Sequence, residues 1–162
     1  MGKYIFQQGV NFDGMNKSFL EKNVLPFLAA CPDTIIYSCY RSPEKQAQMR
    51  LEYEKKLADY NSGKTSVKPS AVNRPYFSAH NYGIAIDVHP LSLSDTDYAK
   101  MQALAVNYGL KRDSIERWHF QDKTFTFEKA KEFLAENKTV ISIVPILILA
   151  TIAFTLKQKG II

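Results

Sequence analysis

Apolar residues recur at helical spacing across residues 16–29 (NKSFLEKNVLPFLA). Phe19, Leu20, Val24 and Phe27 or Leu28 share one side, and Asn16 stands where an N-cap belongs. Pro26 lies inside this run and predicts a shortened or bent helix. The period then changes. Thr34 to Cys39 (TIIYSC) is β-branched and apolar, the pattern of a buried strand. Ser42-Pro43 opens a second helix, since proline is accepted in a first turn, and EKQAQMRLEYEKKLADY carries it to about residue 60. Residues 61–77 hold Gly63, Pro69 and Pro75 without any period, and so long a loop in a small domain is usually functional or mobile. Gly83 to Val88 (GIAIDV) predicts a strand. Ser94-Asp95 begins a helix that reaches Tyr108 and stops at Gly109, and Ile115 to Gln121 (IERWHFQ) predicts another strand. Thr126 can cap a last helix through Asn137. There is no internal repeat. This order predicts an α+β domain, a small antiparallel sheet with flanking helices, over residues 1–137.

The tail breaks the pattern. Thr139 to Leu156 (TVISIVPILILATIAFTL) is 18 residues without a charge, between Lys138 and the pair Lys157 and Lys159. As a helix it would be about 27 Å long at about 1.5 Å per residue. That is close to the ~30 Å hydrocarbon thickness of a bilayer. Apolar residues cover every face, leaving no polar stripe for water. Pro145 is tolerated better in a membrane helix than in a soluble one. Residues 138–162 are therefore expected to be a C-terminal membrane anchor, with the lipid bilayer as partner through 139–156. A C-terminal helix buried in a core or in an oligomer interface is the alternative.

Composition changes this picture little. The chain has 162 residues, 46% hydrophobic and 23% charged, which suits one globular domain plus an appendage and argues against disorder. Its net charge of +5 favours anionic partners, among them the anionic wall of bacteria. The basic residues are dispersed, so nucleic acid is not expected as a partner. Cys31 and Cys39 lack a CxxC spacing and read as reduced packing residues rather than a thiolate metal site. The first residues, MGKYIF, lack the apolar run of a signal peptide.

The chemistry concentrates in two short segments. In Ser78-Ala79-His80-Asn81-Tyr82-Gly83-Ile84-Ala85-Ile86-Asp87 a histidine precedes an apolar strand that ends in aspartate. A carboxylate there is costly to desolvate unless a cation or donors meet it. The second segment, Glu116-Arg117-Trp118-His119-Phe120, sets a glutamate three residues before a histidine. Imidazole and carboxylate suit zinc, and catalytic zinc commonly takes three protein ligands. A glutamate outside the ligand set can then serve as a general base. His89 shares the strand face of Asp87 by alternation, so geometry alone also admits it as a ligand.

The pattern Ser-x-His-x-x-Gly-x-Ala-x-Asp, followed by Glu-x-Trp-His, resembles the zinc D-alanyl-D-alanine carboxypeptidase and L-alanyl-D-glutamate peptidase family. Ser78, His80, Gly83, Ala85, Asp87, Glu116, Trp118 and His119 carry the likeness. Tyr40-Arg41-Ser42 is similar to the family's Gly-Tyr-Arg-Ser, with Cys39 in place of the glycine. The resemblance covers about residues 16–121, and the tail lies outside it. It implies a zinc peptidase with His80, Asp87 and His119 as metal ligands. Glu116 would be the general base that takes a proton from the attacking water and returns it to the leaving amine. Arg41 would reach the substrate or the developing oxyanion, and Ser78 would bind substrate. Trp118 is expected to pack beneath the site.

Residues 80–87 are similar to the His-Asn-Tyr-Gly-Leu-Ala-Val-Asp of phage endolysins, and His119 to Gln121 to their His-Phe-Glu or His-Phe-Gln. This implies a peptidoglycan stem peptide as substrate, cut between L-alanine and D-glutamate. Removal of a terminal D-alanine is the alternative, and a zinc-containing binding module without turnover is a second one. The expected location is a membrane, either the internal membrane of a phage virion or a bacterial membrane.

Overall fold

The computed structural model describes residues 2–113 and 115–136. Five strands form one sheet in the order β1-β2-β3-β5-β4. They are β1 (Tyr4–Phe6), β2 (Thr34–Ser38), β3 (Ala85–Pro90), β4 (Leu110–Arg112) and β5 (His119–Asp122). The three pairs β2–β3, β3–β5 and β4–β5 are antiparallel, as expected. β1 corrects the expectation of a purely antiparallel sheet, because it pairs with β2 in parallel. Residues 7–33, which hold the first helical segments, make the crossover that such a pairing needs.

The predicted first helix is interrupted. α1 (Lys17–Phe19) passes through a π-helical turn at Leu20–Val24 into α2 (Leu25–Ala30). Asn16 caps it as expected, its side chain accepting from the Phe19 N–H at 3.0 Å. Pro26 sits where the π-helical turn passes into α2, and its missing N–H removes one bond from this continuous helical run. α3 (Pro43–Asn61) is capped by Ser42 and begins with Pro43. α4 (Asp95–Ala105) runs into a 3-10 turn at Val106–Tyr108 that ends on Gly109, whose φ is +69°. α5 (Phe127–Glu136) closes the described chain.

The predicted strand over 115–121 is shorter than expected. Residues 115–118 form a turn held by Asp113, whose Oδ1 accepts from the Ile115 N–H at 2.7 Å and the Glu116 N–H at 3.2 Å. A side chain that satisfies two backbone donors competes directly with a ladder. The membrane-spanning helix expected over 139–156 lies outside the described residues. Among the described residues no helix is long and apolar enough to cross a membrane.

Strand alternation divides the sheet. Ile36, Ile86, Val88, Leu110 and Phe120 point to one face and bury against Val24, Phe27, Leu28, Met101 and Ala105. Phe27 and Phe120 meet with ring centroids 5.0 Å apart. Cys31 and Cys39 are free thiols within this core, and burial pushes both up to about 12. The opposite face carries Asp87, His119 and Gln121, and it forms the floor of a cleft.

Gly83 joins the two halves of the first chemical segment. Its φ is +67°, and a Cβ there would lie 2.6 Å from the Gly14 carbonyl oxygen and 2.7 Å from the Asn16 nitrogen. Gly83→Ala is therefore expected to cost about 1–3 kcal/mol of stability. Chemical denaturation would measure it, and an unchanged midpoint would remove the strain assigned to this turn.

Candidate metal centre

His80 rides on a 3-10 turn, Ala79–Tyr82, that enters β3, and only 2% of it is exposed. Asp87 lies within β3, and His119 is the first residue of β5 and its direct ladder partner. That register puts both side chains on the open sheet face. The His80 turn brings the third group in from the side. One ligating atom from each residue falls within 4.8 Å of the others.

The hydrogen bonds decide which atoms face inward. His80 Nδ1 lies 2.5 Å from the Cys39 carbonyl oxygen. A carbonyl only accepts, so the ring proton sits on Nδ1 and the Nε2 lone pair points into the centre. His119 Nε2 donates to Gln121 Oε1 at 2.9 Å, which turns His119 Nδ1 the same way. His80 Nε2 is 3.2 Å from His119 Nδ1 and 3.3 Å from Asp87 Oδ1, and His119 Nδ1 is 2.9 Å from Asp87 Oδ1. Three acceptor atoms thus converge with at most one proton among them. Two imidazoles with one carboxylate form a donor set that fits zinc.

The protonation tendencies agree. Burial alone would raise the Asp87 carboxyl, but His80 and His119 outweigh it and hold it well below the usual carboxylate range. Burial alone would lower His119, yet the hydrogen bond and charge of Asp87, with help from Gln121 and Glu116, raise it overall. Asp87 therefore favours the protonated form of His119.

Arg41 approaches from β2's end. Its Nη2 is 3.6 Å from Asp87 Oδ2 and donates to Ser38 Oγ at 3.0 Å, while Nη1 donates to Gln46 Oε1 at 3.0 Å. Burial lowers its pKa, and Asp87 and Glu116 pull it back upward. Glu116 stands half-buried in the same cleft, without an ion pair or side-chain hydrogen bond among the described residues. Burial raises its carboxyl, as does Asp87, and His119 offsets part of this. Ser78 is buried and lines the cleft.

His89 is set apart from the centre. Its ring stacks on Trp118 with centroids 5.4 Å apart and a 16° interplanar angle. Its Nδ1 is 2.5 Å from the Tyr98 hydroxyl, and it does not belong to the converging cluster. Trp118 lines the cleft with its ring backed by His89, so its packing role and its access to the cleft coexist.

The supporting residues were harder to foresee. Gln121 was accessible to sequence reasoning, since a two-residue period places it on the face of His119. The Cys39 contribution is a backbone carbonyl, which no side-chain pattern signals. Gln46 is 1% exposed and holds both Arg41 and, through its Nε2, the Asn73 carbonyl at 2.7 Å. Asn81 donates to the Arg41 carbonyl at 2.7 Å and accepts from the Tyr76 N–H at 2.9 Å, tying the two segments together.

No family model and no curated protein matches the chain. Its fold is similar to several solved structures. One is a mutant of the vancomycin resistance D,D-pentapeptidase VanY, from a VanB-type cassette, in complex with Zn(II). It shows 20% identity and a TM-score of 0.52, over 73% of this chain and 76% of that one. Another is the LD-carboxypeptidase LdcB, at 20% identity and a TM-score of 0.52, over 84% and 70%. A third is the vancomycin resistance D,D-dipeptidase VanXYg in complex with a D-Ala-D-Ala phosphinate analog. It shows 21% identity and a TM-score of 0.50, over 74% and 59%. At these identities the likeness is one of fold.

Two outcomes follow from the geometry. Alanine at His80, Asp87 or His119 should abolish stoichiometric divalent metal in an elemental assay, whereas His89→Ala should retain it. Metal must also displace the proton that Asp87 keeps on His119, so affinity should rise with pH through a range above the ordinary imidazole value. A metal titration with an affinity flat across that range would remove the proton from this account.

Proposed function

We propose that the chain is a zinc-dependent peptidase that hydrolyses the stem peptides of peptidoglycan. The observation that carries this reading is the convergence of three acceptor atoms in one cleft, beside a glutamate without an ion pair among the described residues. His80, Asp87 and His119 would hold the metal, which supplies a Lewis acid that polarises a peptide carbonyl and acidifies water.

The chain's own groups do the rest. Glu116, its proton affinity raised by burial, takes a proton from water at its carboxylate and hands it to the leaving amine. Arg41, fixed by Ser38 and Gln46, keeps a positive charge in a partly dry site, where it stabilises negative charge developing on the carbonyl oxygen or holds a substrate carboxylate. The Ser78 hydroxyl, which makes no hydrogen bond among the described residues, contacts substrate. Trp118 forms a wall of the cleft.

The bond we assign is that between L-alanine and D-glutamate. The resemblance of residues 80–87 and 119–121 to phage endolysins supports it. Removal of a terminal D-alanine is the second reading, favoured by folds solved with D-Ala-D-Ala or its analog. The uncharged stretch 139–156 would tether the enzyme to a bilayer, in a phage virion or in a bacterium, and so raise its concentration near the wall.

Mass spectrometry of digested wall material tests the assignment. Stems with a new D-glutamate amino terminus are expected, and free D-alanine from otherwise intact stems would select the second reading. Glu116→Gln should keep its metal and lose about 10²-fold or more in kcat. Retained turnover in that variant would require another base.

A further inference from the structure

A second groove opens from the catalytic cleft. Its walls are the outer side of α3 and the segment Thr65–Val72, and Met49, Ser70 and Val72 line both spaces. It has a volume of about 570 Å³, comparable to the 540 Å³ of the cleft itself. Tyr53, Val67 and Pro69 give it an apolar lining, and Val67 is 73% exposed. Glu52, Lys56 and Lys68 stand along it, and none of the three has an ion-pair partner among the described residues.

The segment that forms the outer wall is pinned at its ends. Lys64 bonds Asp59 through both its backbone N–H, at 2.9 Å to the carbonyl, and its Nζ, at 3.2 Å to the carboxylate. At the far end Arg50 Nη1 donates to the Val72 carbonyl at 2.8 Å, and Gln46 to the Asn73 carbonyl. Between these clamps the chain is without regular structure. The N–H groups of Ser66, Lys68, Ser70 and Ala71 have no protein acceptor among the described residues. A segment held at both ends, with main-chain donors that meet no acceptor among the described residues, beside an apolar trough is suited to a peptide chain. Main-chain bonds would supply affinity and the trough would take side chains.

We infer that this groove is an extended subsite for the part of the wall peptide remote from the scissile bond, a peptide carrying free carboxylates and an amine. The inference rests on the peptidase reading above and adds to it where a polymeric substrate runs. Lys56 and Lys68 would face carboxylates, Glu52 would face an amine, and the trough through Met49 joins them to the metal centre. The groove would then favour cross-linked wall over short stem fragments, which fit within the cleft.

The test compares the full chain with Lys56→Glu/Lys68→Glu, and with Lys3→Glu/Lys22→Glu as a control of equal net charge change. Hydrolysis is followed on intact sacculi and on an isolated short stem peptide, and co-sedimentation with sacculi is measured in chelator. The groove pair should raise the apparent KM on sacculi about tenfold, the size of a 1.4 kcal/mol contact loss, and weaken pelleting in parallel. Its kinetics on the short peptide should match the parent, and the control pair should match the parent on both. Unchanged sacculus KM and pelleting would overturn the subsite. So would an equal loss on both substrates, or the same effect from the control pair. An unaltered, zinc-loaded chain that cut neither substrate would instead sink the peptidase reading, a result no groove variant can produce.

Discussion

His80 and His119 meet with their ring protons turned away from each other, and the carboxylate of Asp87 fills the third corner. Lone pairs gathered in this way repel, and burial removes the water that would otherwise screen them. Such a cluster persists only when something positive sits among the atoms. One proton on His119 can do so in part. A divalent ion does so fully, and the ring tautomers required for it are already set by the Cys39 carbonyl and by Gln121. The rest of the structure can be understood as the scaffold that holds these acceptors together.

That scaffold divides the work between two kinds of support. The β3–β5 ladder fixes Asp87 and His119 as direct partners, and the apolar face beneath them, centred on Ile86, Val88 and Phe120, makes this register costly to slip. His80 comes from a tight turn, so its position depends on Gly83, on the Cys39 carbonyl and on the bonds from residue 81 to residues 41 and 76. Arg41 is locked in turn by Gln46, which also tethers the long loop through Asn73. One buried glutamine therefore couples the charge at the centre to the outer wall of the cleft and to the groove beyond it.

Much of this is legible in the amino-acid sequence. The apolar run from Gly83 to Val88 and the single-sided apolar spacing around Phe27 place the sheet and its covering helices, and the paired motifs single out the residues that converge. Three features were hidden for physical reasons. β1 is only three residues long and exposed, so its pairing comes from the neighbouring edge rather than from its own pattern. The start of β5 is displaced because Asp113 caps the preceding turn, a side-chain competition that hydrophobic period does not register. The separation of His89 from the centre was ambiguous on alternation alone. Its stacking on Trp118 depends on how β5 approaches β3, which is a tertiary fact. The membrane anchor expected from residues 139–156 rests on the sequence pattern.

X-ray absorption at the zinc edge of the loaded protein reports directly which atoms surround the ion. The expected first shell contains nitrogen and oxygen only, at about 2.0–2.2 Å, with the multiple-scattering signature of two imidazoles. A sulfur contribution at about 2.3 Å would bring a cysteine into the site. That result, or a two-imidazole signature that survives His119→Ala and vanishes in His89→Ala, would contradict the account.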